Sequence, residues 1–208
     1  LLQVVNRIDE CLTGREKPLS YDRLTYVVIH RTSLARKGPD NPSPVPDSLL
    51  DGPALAKAFR DNWKDPPDGL GTGGRCPYHF LIRTGGTCEQ LLPLSVRGTH
   101  AVSYNPISLA VAVAGDFRFK EPSPAQWRSL TDVVAALCVY KRNGLHIVGH
   151  TQVPDSSHDE RKECPGDNLS MSDLLGRVRS TIQDTTPQWR GWTPDEARHH
   201  LIAKGVHV

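Results

Sequence analysis

Apolar positions along this 208-residue chain fall into two patterns, continuous runs and helical spacings, and the two alternate. The runs "LTYVVIH" (24–30) and "SLAVAVAGDF" (108–117) are apolar on both faces, which predicts buried central strands. "LHIVGH" (145–150) predicts a further strand whose end delivers His150. "YHFLIRTGGTCEQLL" reads as two strands around a turn at Gly85-Gly86. Helical spacing begins with Leu1, Val5, Ile8 and Leu12, predicting an amphipathic helix over 1–12. It returns in "PALAKAFRDNW" (53–63), where Pro53 suits a first turn. The strongest helix is "SPAQWRSLTDVVAALCVYKRNG": Ser123 and Gln126 can form a capping box, Pro124 takes the first helical position, and Gly144 can end it. "SMSDLLGRVRSTIQ" predicts a closing helix.

Between these elements, residues 31–50 are rich in Pro, Ser and Asp and read as a long loop. "GLGTGG" is a loop too, because no Lys-Ser/Thr pair follows it and a strand comes next. The alternation of strands and helices predicts an α/β domain, a mixed central sheet flanked by helices, over residues 1–184. Residues 185–208 read as a linker, "TTPQWRG", and a short helix started by Thr193, Pro194 and Glu196. That tail is too short to hold a core of its own.

Charge narrows the classes of partner. The 25 basic and 23 acidic residues are interspersed and leave a net charge of only +2, which argues against nucleic acid as the main ligand. The apolar runs fall far short of the ~20 residues of a membrane-spanning helix. The first residues show no basic segment followed by an apolar one, so no signal peptide is expected. Five cysteines make an odd set without the spacing of a disulfide scaffold, which predicts free thiols in a reducing compartment. A hairpin turning at Gly85-Gly86 sets Cys88 opposite about Arg83, well short of Cys76, and Cys138 sits in an apolar helical run as core.

The chemistry-bearing residues gather at strand ends. His30 ends the first long strand, His150 ends the last one, and Cys164 lies beyond it in the charged turn "RKECPGDN". If those strands are parallel neighbours, both histidines reach the C-terminal rim of the sheet, where sites of open α/β sheets lie. Two imidazoles and a thiolate suit a catalytic zinc, which takes three protein ligands. His158, eight positions after His150, competes with Cys164 as the third ligand, and spacing leaves the choice open. His146 shares a strand face with His150, which reads as core or as support behind the ligands, while His199 and His200 read as exposed helix positions. Tyr78 and His79 point to opposite sides, so at most one of them faces such a site.

Taken together, these segments resemble the zinc-dependent N-acetylmuramoyl-L-alanine amidases of the type 2 amidase and peptidoglycan-recognition-protein fold, in particular the phage lysozymes of the T7 kind. "YVVIHRT" is similar to the family's first-ligand strand, and "GRCPYHFLIRTGGTCEQLLPL" to its hairpin. "GTHAVSYNPISLAVAVAGDF" resembles the next segment, "SPAQWRSL" the long helix, and "GHTQV" with "KECPGDNL" the second and third ligands, in order over about residues 22–178.

The resemblance implies His30, His150 and Cys164 as zinc ligands, with Tyr78 and Lys162 as the polar residues beside the metal. Cys164 is preferred to His158 because it carries the family's following Pro-Gly and a lysine two places before it. The loop from His150 to Cys164 is longer than the family's usual one, and Ala112 stands where some cytoplasmic relatives carry a catalytic glutamate. The implied substrate is the amide between N-acetylmuramic acid and L-alanine in peptidoglycan. The 31–50 loop, Trp63, His100, Tyr104 and Asn105 are expected to line its groove. The resemblance implies a monomeric phage or prophage endolysin, made in the host cytoplasm and acting on the cell wall. The alternatives are a cytoplasmic muropeptide-recycling amidase, a non-catalytic peptidoglycan-binding module of the same fold, and a structural zinc domain closed by a fourth ligand such as His158.

Overall fold

Two strands buried on both faces form the middle of the sheet. Strands β2 (Tyr26–Arg31) and β5 (Ser108–Val113) run parallel, with Tyr26 opposite Ser108 and Arg31 opposite Val113. The computed structural model describes residues 3–32, 50–62, 76–142, 144–154, 163–189 and 193–208. Strand β6 (His146–Gly149) pairs in parallel with the outer side of β2, and β3 (Phe80–Ile82) in parallel with β5. Strand β4 (Cys88–Gln90) returns antiparallel to β3, and β1 (Val4–Asn6) adds in parallel to β4. The spatial order is β1-β4-β3-β5-β2-β6, the mixed sheet expected from the alternating pattern.

Helices α3 (Pro124–Tyr140), α4 (Met171–Trp189) and α5 (Pro194–Ala203) cover one face. There Val27, Ile29, Leu109, Val111 and Val113 meet Leu130, Val134 and Leu137 of α3, Leu174 and Val178 of α4, and Leu201 of α5. Ser123 Oγ accepts from the Gln126 N–H at 3.1 Å while Gln126 Oε1 accepts from the Ser123 N–H at 3.0 Å, the capping box expected at the start of α3. The other face carries α1 (Ile8–Cys11) and α2 (Gly52–Asn62). Its sheet positions Ala110, Ala112 and Ala114 are small and fully buried, and such alternation admits larger side chains from neighbouring elements. Among the described residues no helix is long and apolar enough to cross a membrane.

Three segments differ from the sequence expectation. The opening residues are not one helix: Val4–Asn6 form an edge strand, and only Ile8–Cys11 are helical. The free edge of β4 offers backbone partners to the β-branched Val4 and Val5, and Asn6 Oδ1 then accepts the Ile8 N–H at 2.9 Å to start the short helix. The closing helix continues to Trp189, through residues that read as linker. Residues 193–208 contribute Leu201 and Val206 to the main core, and the Gln90 amide donates to the His207 carbonyl at 2.8 Å. All five cysteines are free and buried, and Cys88 sits opposite Ile82, one position from the expected Arg83.

Candidate metal centre

Alternation along β2 turns Val28 and His30 to the alanine-lined face of the sheet, and His30 is only 2% exposed. Strand β6 ends at Gly149, opposite Ile29, and His150 opens a single 3-10 turn (His150–Gln152) directly after it. The parallel pairing of β2 and β6 therefore delivers both histidines to one rim, with ring centroids 4.3 Å apart.

Cys164 reaches them by a loop folded back onto that rim. The Thr151 N–H donates to the Cys164 carbonyl at 2.9 Å, tying the thiol segment to the turn that holds His150. The glycine that follows is required: Gly166 has φ +103°, and a Cβ there would lie 2.6 Å from the Phe117 carbonyl carbon. The Asn168 N–H donates to the same Phe117 carbonyl at 3.0 Å. On the other side, a Cβ at Gly149 would come within 3.0 Å of Pro165 Cδ. A turn that reads as charged and exposed thus buries its thiol to 8% exposure. Arg118 pairs with Glu163 at 2.8 Å, and Arg31 and Arg118 both pair with Asp116, so the residue before Cys164 is held to β2 and to the segment after β5.

The donor atoms of His30, His150 and Cys164 all lie within 4.8 Å of one another, with Cys164 Sγ 3.8 Å from His30 Nδ1. Tetrahedral zinc with bonds of about 2.0 Å to nitrogen and 2.3 Å to sulfur separates its ligand atoms by roughly 3.5 Å, so the set fits that ion. Burial, and then the neighbouring imidazoles, hold His30 well below the usual histidine range, leaving it neutral and able to ligate. Burial raises the Cys164 thiol to about 11, against a hydrogen bond from the Arg31 backbone and the Arg31 charge.

Tyr78 joins this cluster and His79 does not. The Tyr78 ring lies 5.0 Å from the His30 ring, and burial keeps its phenol protonated. His79 is engaged in the sheet: its Nε2 donates to the Val96 carbonyl at 2.7 Å and its Nδ1 accepts from the Ala110 N–H at 3.0 Å. His100 Nδ1 lies 3.0 Å from His30 Nε2. Tyr104 packs its ring on Tyr26 at 4.9 Å, and Asn105 Oδ1 accepts from the backbone N–H groups of His100 and Ala101 at 2.9 Å. His146 stands neither in the core nor behind the ligands; on the edge strand it is exposed and leans on Tyr26 at 5.4 Å. Trp63, Lys162, His158 and residues 33–49 lie outside the described residues. Sequence reasoning missed Ser108, whose hydroxyl approaches His100, and Arg31; only the shared parity of β2 and β5 could have pointed to Ser108.

Comparison with known proteins places this architecture. The sequence model of the Amidase_2 family, described as N-acetylmuramoyl-L-alanine amidase, matches residues 20–167. The chain is similar to a peptidoglycan-recognition protein of Drosophila melanogaster, 28% identical over 120 residues, which are 56% of this chain and 55% of that protein. It thus spans about half the length of that relative. Its fold is similar to that of the N-acetylmuramoyl-L-alanine amidase LysC from Clostridium intestinale, with a TM-score of 0.60 and 22% identity over 86% of this chain and 99% of that one. The Ph2119 endolysin from a Thermus scotoductus bacteriophage matches with a TM-score of 0.60 and 19% identity, over 85% and 99%. Drosophila PGRP-LB matches with 0.54 and 22%, over 86% and 92%. With most of its length matched by the family model and a His-His-Cys cluster at the rim of a mixed sheet, this chain belongs to the N-acetylmuramoyl-L-alanine amidase family Amidase_2.

Proposed function

We propose that the protein is a zinc-dependent amidase of the phage or prophage endolysin kind, hydrolysing the amide between N-acetylmuramic acid and L-alanine in peptidoglycan. The observation that carries this reading is the donor set. Among the described residues it comprises His30, His150 and Cys164, two imidazoles and a thiol of the kind that hold a catalytic zinc. Zinc held there supplies a water that is nucleophilic near neutral pH and polarises a carbonyl.

The chain's own residues would do the rest. His30, His150 and Cys164 would hold the ion, Cys164 as the thiolate that zinc stabilises, with the Arg31 charge beside the sulfur. The Tyr78 phenol, whose pKa burial raises, would be a hydrogen-bond donor for the oxygen that gains charge as the amide carbonyl is attacked. By the family resemblance, Lys162, two residues before Cys164, would be the second such group, a cation for the same oxyanion. One well-placed group of this type is worth ~3 kcal/mol in the barrier. Strand β5 carries Ala112 opposite His30 and no acidic residue, which favours the endolysin kind over the recycling enzymes that use a glutamate there.

The test is zinc content together with turbidity loss and new L-alanine amino termini from purified peptidoglycan, on the parent and on Cys164→Ser. The parent is expected to hold about one zinc and to cleave, and the variant to do neither. A parent that binds peptidoglycan without releasing L-alanine termini would make this a binding module, and a variant that keeps metal and activity would remove Cys164 from the ligand set.

A further inference from the structure

We propose that His100 is a positioning residue for the ligand His30, holding that ring in the one tautomer that presents Nδ1 to the metal, through a hydrogen-bond chain that ends on the Tyr104 carbonyl. The inference rests on the reading of His30, His150 and Cys164 as a zinc site and adds to it the residues that orient its first ligand.

The direction of every bond in the chain follows from its end. A carbonyl oxygen can only accept, and Ser108 Oγ lies 2.6 Å from the Tyr104 carbonyl, so the Ser108 proton is committed there. Ser108 Oγ also lies 3.2 Å from His100 Nε2 and has only lone pairs left to offer it. His100 Nε2 must therefore carry that ring's proton. An imidazole in its neutral form carries a single ring proton, and with that proton on Nε2 the His100 Nδ1 is bare and can only accept. The atom 3.0 Å from that bare nitrogen is His30 Nε2, which must in turn be the protonated one. This leaves the His30 Nδ1 lone pair free, and Nδ1 is the atom that faces Cys164 Sγ at 3.8 Å. A metal-bound histidine is commonly oriented by a partner on its second nitrogen. Here that partner is an imidazole, itself oriented by a serine.

The surrounding chain holds this partner rigidly. The His100 and Ala101 N–H groups both donate to Asn105 Oδ1 at 2.9 Å, which closes the turn that presents the ring. The His100 and His30 rings stand nearly perpendicular, at 88°, with their centroids 5.0 Å apart and the two facing nitrogens 3.0 Å apart. Gly98 lets this segment approach the ligand side of the sheet, since a Cβ there would lie 2.3 Å from the Pro77 carbonyl oxygen. Both ring nitrogens of His100 are engaged within the protein, one of them on the ligand His30 itself.

The experiment measures zinc affinity by chelator competition, first on the parent and then on His100→Leu, His100→Asn and Ser108→Ala. It adds the visible spectrum of the cobalt-substituted proteins and the ring-nitrogen NMR shifts of the zinc-loaded parent. Loss of the partner in His100→Leu is expected to weaken zinc binding ~10–100-fold and to shift the cobalt bands. Asparagine, whose amide oxygen can take the place of Nδ1, is expected to recover most of that loss, and Ser108→Ala to weaken binding by a smaller factor. The parent spectrum is expected to show His30 metal-bound through Nδ1 and protonated at Nε2. The proposal is overturned if His100→Leu binds zinc within twofold of the parent, if leucine and asparagine lose equally, or if His30 binds through Nε2. Should His100→Leu fail to fold, asparagine and the nitrogen spectrum decide. A parent that takes up no zinc overturns the zinc reading and this inference together, whereas a parent that binds zinc with unchanged variants overturns this inference alone.

Discussion

Substituting Gly166 by alanine isolates what the loop behind Cys164 contributes to the metal centre. Two costs apply there. The residue has φ +103°, where an L side chain is strained by ~1–3 kcal/mol. The new Cβ would also lie 2.6 Å and 2.7 Å from the carbonyl carbon and oxygen of Phe117, and 2.8 Å from the Arg118 nitrogen. These are backbone atoms on both sides of one peptide, so no rotamer change relieves the clash. Ordinary contact requires the loop to back away by about 1 Å, two residues from a sulfur set 3.8 Å from its partner nitrogen. The strain and the displacement together amount to ~2–4 kcal/mol, divided between folding and zinc affinity. Gly14→Ala is the control, because Gly14 has φ +76° but nothing within 4 Å of its Cβ, so it carries strain without a clash. Urea unfolding of the metal-free proteins and chelator competition for zinc measure the two shares. Gly14→Ala should lose ~1 kcal/mol of stability and no zinc affinity, while Gly166→Ala should lose more stability and at least tenfold in zinc binding. If Gly166→Ala matches the control in both, the loop does not position the thiol and the argument for a built Cys164 site is wrong.

Two further outcomes are expected. Tyr78→Phe should lower kcat on peptidoglycan by ~100-fold while leaving zinc content near one per chain, since the phenol is assigned as an oxyanion donor; turnover kinetics beside metal analysis would show whether both hold. Burial alone would raise the Asp116 carboxyl, but the Arg118 hydrogen bonds and the Arg31 charge hold it at about 2, below its ordinary value of 3.8. Its contribution to stability is therefore present above pH ~4 and is lost as pH falls through about 2. Asp116→Asn should destabilise the protein by a constant amount at neutral pH, and urea unfolding across pH should show that difference shrinking below pH ~4.

The strands of the sheet and the two strand-end histidines were legible because their signals are local. Consecutive apolar residues in "YVVIH" and "LAVAVA" mark strands with both faces covered. Ser123, Pro124 and Gln126 mark the start of α3 within four positions. A histidine at the end of each of two parallel strands follows from the same patterns once the strands are paired. Val5 fits a helical spacing in isolation, and only the free edge of β4, over 80 residues later, makes Val4–Asn6 a strand. Similarly, nothing near Leu201 or Val206 announces that they complete the core against α3.

By itself, then, the sequence determined which segments could be strands or helices, where they start, and that two histidines stand at strand ends where they would meet if those strands were parallel neighbours. Periodicity and capping are properties of neighbouring residues, so they are written along the chain. Only the tertiary structure decided that the Cys164 thiol is buried, that Tyr78 and not His79 lies against the ligands, and that His100, with Ser108 behind it, comes within 3.0 Å of His30. Those outcomes depend on hydrogen bonds and contacts between residues as far as 134 positions apart, as from His30 to Cys164. Burial and partner geometry arise only when the packed elements meet.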